Sequence, residues 1–123
     1  MAIVTPNIEV RATAKYIRIS PRKVRLVVDA VRGKRVNDAL AMLRFMPQKS
    51  AREVYKVIQS AAANAENNYG LDPEDLYVSR IYADEGPTRR WRRFGARGRF
   101  KPLLKRSSHV TVVLAEYGSE EEE

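Results

Sequence analysis

The sequence predicts an α/β fold of the α+β kind, a single domain of three helices and three strands from which a long basic β-hairpin projects. Three observations carry this. Apolar residues recur at helical spacing, with recognisable start and stop residues, three times between Ser20 and Gly70. Apolar residues alternate or cluster with strand character over Ile8 to Ile19, Leu76 to Ala83 and His109 to Ala115. Between Arg89 and Arg106 the chain reads RRWRRFGARGRFKPLLKR, nine basic residues interleaved with three aromatics and no carboxylate. A chain of 123 residues is enough for one modest core and short for two, and no linker separates a second one.

In the first strand Ile8, Val10, Ala12, Ala14 and Tyr16 alternate with Glu9, Arg11, Thr13 and Lys15, which places Tyr16 with the apolar set and Arg11 and Lys15 on the outer face. Ser20 is a good N-cap and Pro21 suits the first helical position, so a helix is expected from Pro21 to about Arg32, with Val24, Val27, Val28 and Val31 inward and Gly33 as its stop. Asn37 is the expected cap of a short second helix with Leu40, Leu43 and Met46 on its apolar face, ended by Pro47. Ser50 and Glu53 have capping-box spacing and open a third helix whose stripe is Val54, Val57, Ile58, Ala61, Ala62 and Ala65, with Gly70 as its stop. The later two strands should be antiparallel neighbours. The basic stretch between them, turning near Gly95 and Gly98, reads as a hairpin whose arms continue those strands. The expected division is a body over about 8–83 and 109–116, a hairpin over about 84–108, and an acidic tail over 118–123.

The formal charge is +8, and four of the fifteen acids are the run Glu120 to Glu123, so the body is more basic than the total indicates. No carboxylate occurs from Thr88 to Val113, so the basic run from Arg89 to Arg106 has no counter-charge within its own segment. Such a run pairs with phosphate through arginine and stacks on unpaired bases through its aromatics. A solvated charged loop, the alternative, normally mixes both signs. Arg22 and Lys23 stand in the first turn of the first helix, where the helix dipole disfavours cations unless an anion sits nearby. Lys15, Arg18, Arg25, Arg32, Lys34 and Arg35 surround the same element in sequence and extend the basic surface.

Enzyme chemistry is not expected. There is no cysteine, one histidine, and no Walker loop, dinucleotide fingerprint or zinc spacing, so no metal or cofactor is implied. Asp84 and Glu85 are adjacent on a strand and point to opposite faces, which suits turn formation or arginine pairing better than acid and base work. His109 reads as structural. Asn64, Asn67 and Asn68 have two readings, local capping of the helix end or hydrogen bonding to bases and riboses. Gly95-Ala96-Arg97-Gly98 matches a KH-type GXXG loop only superficially, since that loop needs flanking helices. No apolar run approaches bilayer length, and a cytoplasmic protein with no membrane contact and no homo-oligomer is expected.

Several strings then converge: Ser20-Pro21-Arg22-Lys23, Val31-Arg32-Gly33, the run from Ala61 to Asn68 (AAANAENN), Asp84-Glu85-Gly86-Pro87, Arg97-Gly98-Arg99 and the run from Lys105 to Val113 (KRSSHVTVV). In this order the chain resembles bacterial large-subunit ribosomal proteins of the L-twenty-two family, over roughly Arg11 to Glu116. The resemblance implies a three-stranded antiparallel sheet packed with three helices. It also implies binding to large-subunit ribosomal RNA, a role in subunit assembly, neighbouring ribosomal proteins as partners, and a hairpin that lines the nascent-peptide exit tunnel and meets the nascent peptide. Carried onto this chain, it implicates Ser20, Arg22 and Lys23 at the helix start, Arg89, Arg90, Arg99, Lys101, Lys105 and Arg106 in the arms, and Trp91, Arg92, Arg93, Phe94, Gly95, Ala96 and Arg97 at the tip. The chain departs from the family pattern at Phe94, Gly95 and Phe100. Two roles are open for Trp91 and Phe94, stacking on RNA bases or narrowing the tunnel. A free RNA chaperone or regulatory RNA-binding protein is the alternative function, distinguished by being found mostly unbound to ribosomes.

Overall fold

The computed structural model describes the backbone of residues 9–94 and 100–116 and the side chains of residues 9–88 and 105–116. Along the chain run β1 (Glu9–Ile17), α1 (Pro21–Val31), α2 (Val36–Phe45), α3 (Lys49–Tyr69), β2 (Leu76–Glu85), β3 (Arg89–Phe94), β4 (Phe100–Lys105) and β5 (Ser108–Glu116), with a 3-10 turn at Pro73–Asp75. The helix, strand and hairpin expectations are met in kind and order. The acidic tail lies outside the described residues.

β5, last in the sequence, is the middle strand of an antiparallel sheet ordered β1-β5-β2. Strand alternation sends Val110, Val112 and Leu114 to one face, where all three are fully buried. That face packs on α3 and α1; α2 in turn packs on α3. The helices answer with Val24, Val27, Val28 and Val31 from α1, Val36, Ala39 and Leu43 from α2, and Val54, Ile58, Ala61 and Ala65 from α3. Each fully buried valine, leucine or isoleucine contributes about 1.5–3 kcal/mol of transfer free energy. On the other face Val113 and Thr111 are also buried, flanked in register by Arg11, Thr13, Arg80 and Tyr82 of the outer strands. Glu9 and Arg80 meet there at 2.7 Å across β5.

Three local expectations are corrected, and a fourth, Ser20 as N-cap, is met without its side chain. The β1 register shifts between Ala14 and Ile17, so Ile17 rather than Tyr16 enters the core, and Tyr16 turns outward with φ 60°. Ser20 is the N-cap of α1, but its side chain makes no cap hydrogen bond; the amides of Lys23 and Val24 donate to its carbonyl instead. α2 starts at Val36 with Arg35 as its N-cap, rather than behind an Asn37 cap. The Gly33 amide donates to the Val78 carbonyl, the Val78 amide donates to the Lys34 carbonyl, and Arg35 bridges Tyr77, so the chain is pinned to β2 until the residue before the helix begins. In α3 the N-cap is Gln48, which puts Ser50 inside the first turn, buried, where it cannot serve in a capping box. Gly70 does end α3, in the left-handed conformation, with its amide and that of Leu71 donating to the carbonyls of Glu66 and Ala65.

The hairpin arms extend the β2–β5 ladder. That ladder closes on Glu85↔Ser108, and a second begins at Arg89↔Lys105 and runs to Phe94↔Phe100. Its six pairs span about 20 Å at the usual rise per residue. Between the two ladders the Gly86 amide donates to the Ser107 carbonyl at 2.9 Å, and Ser107 Oγ donates to the Pro87 carbonyl at 2.8 Å. A Cβ on Gly86 would lie 2.5 Å from Ser107 Oγ and 3.2 Å from His109 Cε1, so this crossing admits no side chain.

Gly86→Ala should therefore displace the Ser107 hydroxyl and lose its hydrogen bond, lowering stability by about 1–2 kcal/mol. Adding Ser107→Ala should recover part of that loss, because the clashing atom is gone. Thermal or denaturant unfolding of the single and double variants checks this; strictly additive losses would contradict it.

Candidate nucleic-acid interface

The start of α1 and the base of the ribbon, far apart in sequence, are fastened to each other. Ser108, fully buried, donates its hydroxyl proton to the Ile19 carbonyl at 2.6 Å. This holds the residues entering α1 against the first residue of β5. As a result Arg18, Ser20 and Lys23 from the helix start, Lys105 and Arg106 from the end of the ribbon, and Lys49 from the start of α3 line one open concavity of about 360 Å³. Ile19 completes its wall, and no carboxylate lines it.

Both helices that deliver cations here lack an acidic residue in the first turn, and neither has a side-chain cap. Residues at the starts of two helices and five cationic side chains thus border one space. Their mutual repulsion is unfavourable in isolation and is relieved by a bound polyanion. A second concavity, of about 410 Å³, continues the surface along α1 with Ser20, Pro21, Arg22, Arg25, Glu85 and Arg106. Glu85 stands 3.7 Å from Arg106, a loose and exposed pair that leaves most of the positive field uncompensated.

The structure sorts the expected residues. Arg18, Arg22, Lys23, Arg25, Lys105 and Arg106 are exposed on this surface, with Ser20 half-buried among them. Arg25 Nε also donates to the Ala83 carbonyl at 3.3 Å, which steadies its stem against β2. Lys15 is exposed on the neighbouring stretch of β1. Arg32 stands apart. It donates to Asp29 Oδ1 at 2.7 Å and to the Ile81 carbonyl at 2.8 Å, tying the end of α1 to β2. Arg89, Arg90, Trp91, Arg92, Arg93, Phe94 and Lys101 belong to the ribbon strands by backbone. Gly95, Ala96, Arg97 and Arg99 lie outside the described residues.

Lys49 is a residue the sequence reading missed. It is a cation in a helix first turn, like Arg22 and Lys23, beside the capping-box spacing of Ser50 and Glu53. Asn68 donates its side-chain amide to Asn64, one turn earlier on α3. His109 Nδ1 accepts the Tyr16 amide at 3.0 Å, the structural use expected of it. Among the described residues no group of three or more His, Cys, Asp or Glu could hold a metal ion, and no helix is long and apolar enough to cross a membrane.

The family model described as ribosomal protein L22p/L17e matches residues 12–115. The large ribosomal subunit protein uL22 of Thermomicrobium roseum is 54% identical over 109 residues, covering 88% of this chain and 92% of the relative. The protein of the same name from Clostridium novyi is 52% identical over 108 residues, covering 88% of this chain and 97% of the relative. With a family model spanning residues 12–115 and two relatives more than half identical over most of both chains, the chain belongs to the ribosomal protein L22p/L17e family.

Proposed function

We propose that this chain is a structural constituent of the large ribosomal subunit in the cytoplasm, anchored to large-subunit ribosomal RNA by charge neutralisation. The single observation that carries the proposal is the carboxylate-free concavity where Arg18, Lys23, Lys49, Lys105 and Arg106 meet. RNA backbones that approach closely need their phosphate charge offset, and a fixed cluster of side-chain cations supplies that while releasing condensed counterions. The Ser108 to Ile19 hydrogen bond sets the body's cations in fixed relation to those entering the ribbon.

In the same proposal body and ribbon divide the work. The body, over about 8–83 and 109–116, anchors. The ribbon, with Arg89, Arg90, Arg99 and Lys101 in its arms, threads between RNA segments, and its tip from Trp91 to Arg97 lines the nascent-peptide exit tunnel beside neighbouring ribosomal proteins. Support for this comes from the paired backbone of β3 and β4, which extends outward from the β2–β5 ladder, and from the large-subunit names of the relatives.

Chemical acetylation of lysines, read by mass spectrometry, tests the anchor. Lys23, Lys49 and Lys105 should react readily in the free protein and be shielded in assembled large subunits. Equal reactivity in both states would overturn the proposed interface.

Deleting Arg92 to Arg97 tests the division of work. The buried core runs from Val10 to Ala83 and from Ser108 to Ala115, so the shortened chain should unfold cooperatively within a few degrees of the parent and still join the subunit. Loss of the cooperative transition would show that the ribbon helps to hold the body together.

A further inference from the structure

Tyr16 is the one non-glycine residue with positive φ among those described, at 60°. That backbone region is disfavoured for residues with a Cβ, and glycine or asparagine is its usual occupant. Here an aromatic occupies it, at the bulge that shifts the β1 register between Ala14 and Ile17. His109 holds the arrangement, accepting the Tyr16 amide at Nδ1 and meeting the tyrosine ring edge-on, with centroids 5.0 Å apart and planes at 88°. The ring gains little burial in return, since Tyr16 remains 64% exposed. Neither backbone preference nor core packing explains a tyrosine at this position.

Its surroundings supply a reason. Tyr16 borders a concavity of about 300 Å³ with an apolar floor of Ala14, Ile17 and Ile19 and a rim of Lys15, Arg18 and Lys49, opposed by one carboxylate, Glu53. Arg18, Ile19 and Lys49 also line the carboxylate-free concavity at the ribbon base, so the two spaces adjoin. An aromatic and an apolar floor suit the flat face of an unpaired base; the cations on the shared wall suit the phosphates on either side of it.

We propose that Tyr16 is a stacking platform for one unpaired base of the bound RNA, with the adjoining phosphates held by Arg18 and Lys49. This rests on the RNA-anchoring function proposed above. The nucleic acid would be met here as a single strand, whereas the rest of the cationic surface needs phosphates alone.

Glycine relieves the backbone strain at position 16 and removes the ring, so folding and stacking can be separated. Tyr16→Gly should keep or raise the thermal midpoint while weakening binding to large-subunit ribosomal RNA about tenfold, the worth of one stacked base. The loss should be equal at every salt concentration, because stacking releases no counterions, and Tyr16→Trp should restore the affinity. Lys49→Ala should instead flatten the log–log salt dependence by about 0.7–0.9. Ultraviolet irradiation of assembled subunits should crosslink residue 16 to an unpaired nucleotide. If Tyr16→Gly binds within about twofold of the parent and no crosslink reaches residue 16 while Lys49→Ala still weakens binding, the stacking role is overturned and RNA anchoring stands. If the parent chain itself fails to bind the RNA, both fall.

Discussion

The core of this molecule cannot close until β5 is inserted between β1 and β2. β5 supplies Val110, Val112 and Leu114 to the helix-facing side of the sheet and provides the ladder partners of both β1 and β2. Without it the two outer strands have no shared edge, and the apolar stripes of α1 and α3 have no continuous surface to meet. The same strand starts where the ribbon ends, and its first residue, Ser108, fastens the approach to α1 through the Ile19 carbonyl. One strand therefore completes the core, anchors the ribbon and registers the helix start. Pairings of such large sequence separation form late in folding, after the loop entropy they cost has been met.

The positive surface is a consequence of that arrangement rather than of any one segment. Arg18 and Lys23 are close in sequence, but Lys49 arrives from α3 and Lys105 and Arg106 from the far arm of the ribbon. Convergence of three chain segments at one concavity concentrates charge beyond what composition gives. Carboxylates at this surface include Glu85, loosely paired with Arg106, and Glu53 at the adjoining concavity. Exposed pairs of this kind contribute little stability and do little to cancel the field. Tolerating such repulsion is intelligible when folding is coupled to use against a polyanion, and the family to which the chain belongs is consistent with that use.

Much of this was legible in the residues. Pro21, Gly33 and Gly70 marked helix limits because their backbone chemistry restricts what else they can do, and the alternation through Val110, Val112 and Leu114 marked β5 because one face is buried. The basic run from Arg89 to Arg106 declared itself by lacking any opposing charge. What escaped depended on tertiary partners. The bulge at Tyr16 is set by β5 and by His109, both about ninety positions away, so simple alternation put the ring on the wrong side. The start of α2 moved because β2 pins residues 33–35. Ser50 had the spacing of a capping residue, yet α3 begins behind Gln48 and buries it. Lys49 was visible as a cation but not as a neighbour of Arg106, since nothing local predicts which helix ends meet.

The most direct measurement is the salt dependence of binding to large-subunit ribosomal RNA. Five neutralised phosphates at the Arg18, Lys23, Lys49, Lys105 and Arg106 concavity require a log–log slope at least as steep as about −3.5, taking roughly 0.7 per phosphate. The ribbon's arginines should steepen it further. A slope near zero would mean that the complex is held by something other than charge, and the central role given to this surface would be wrong.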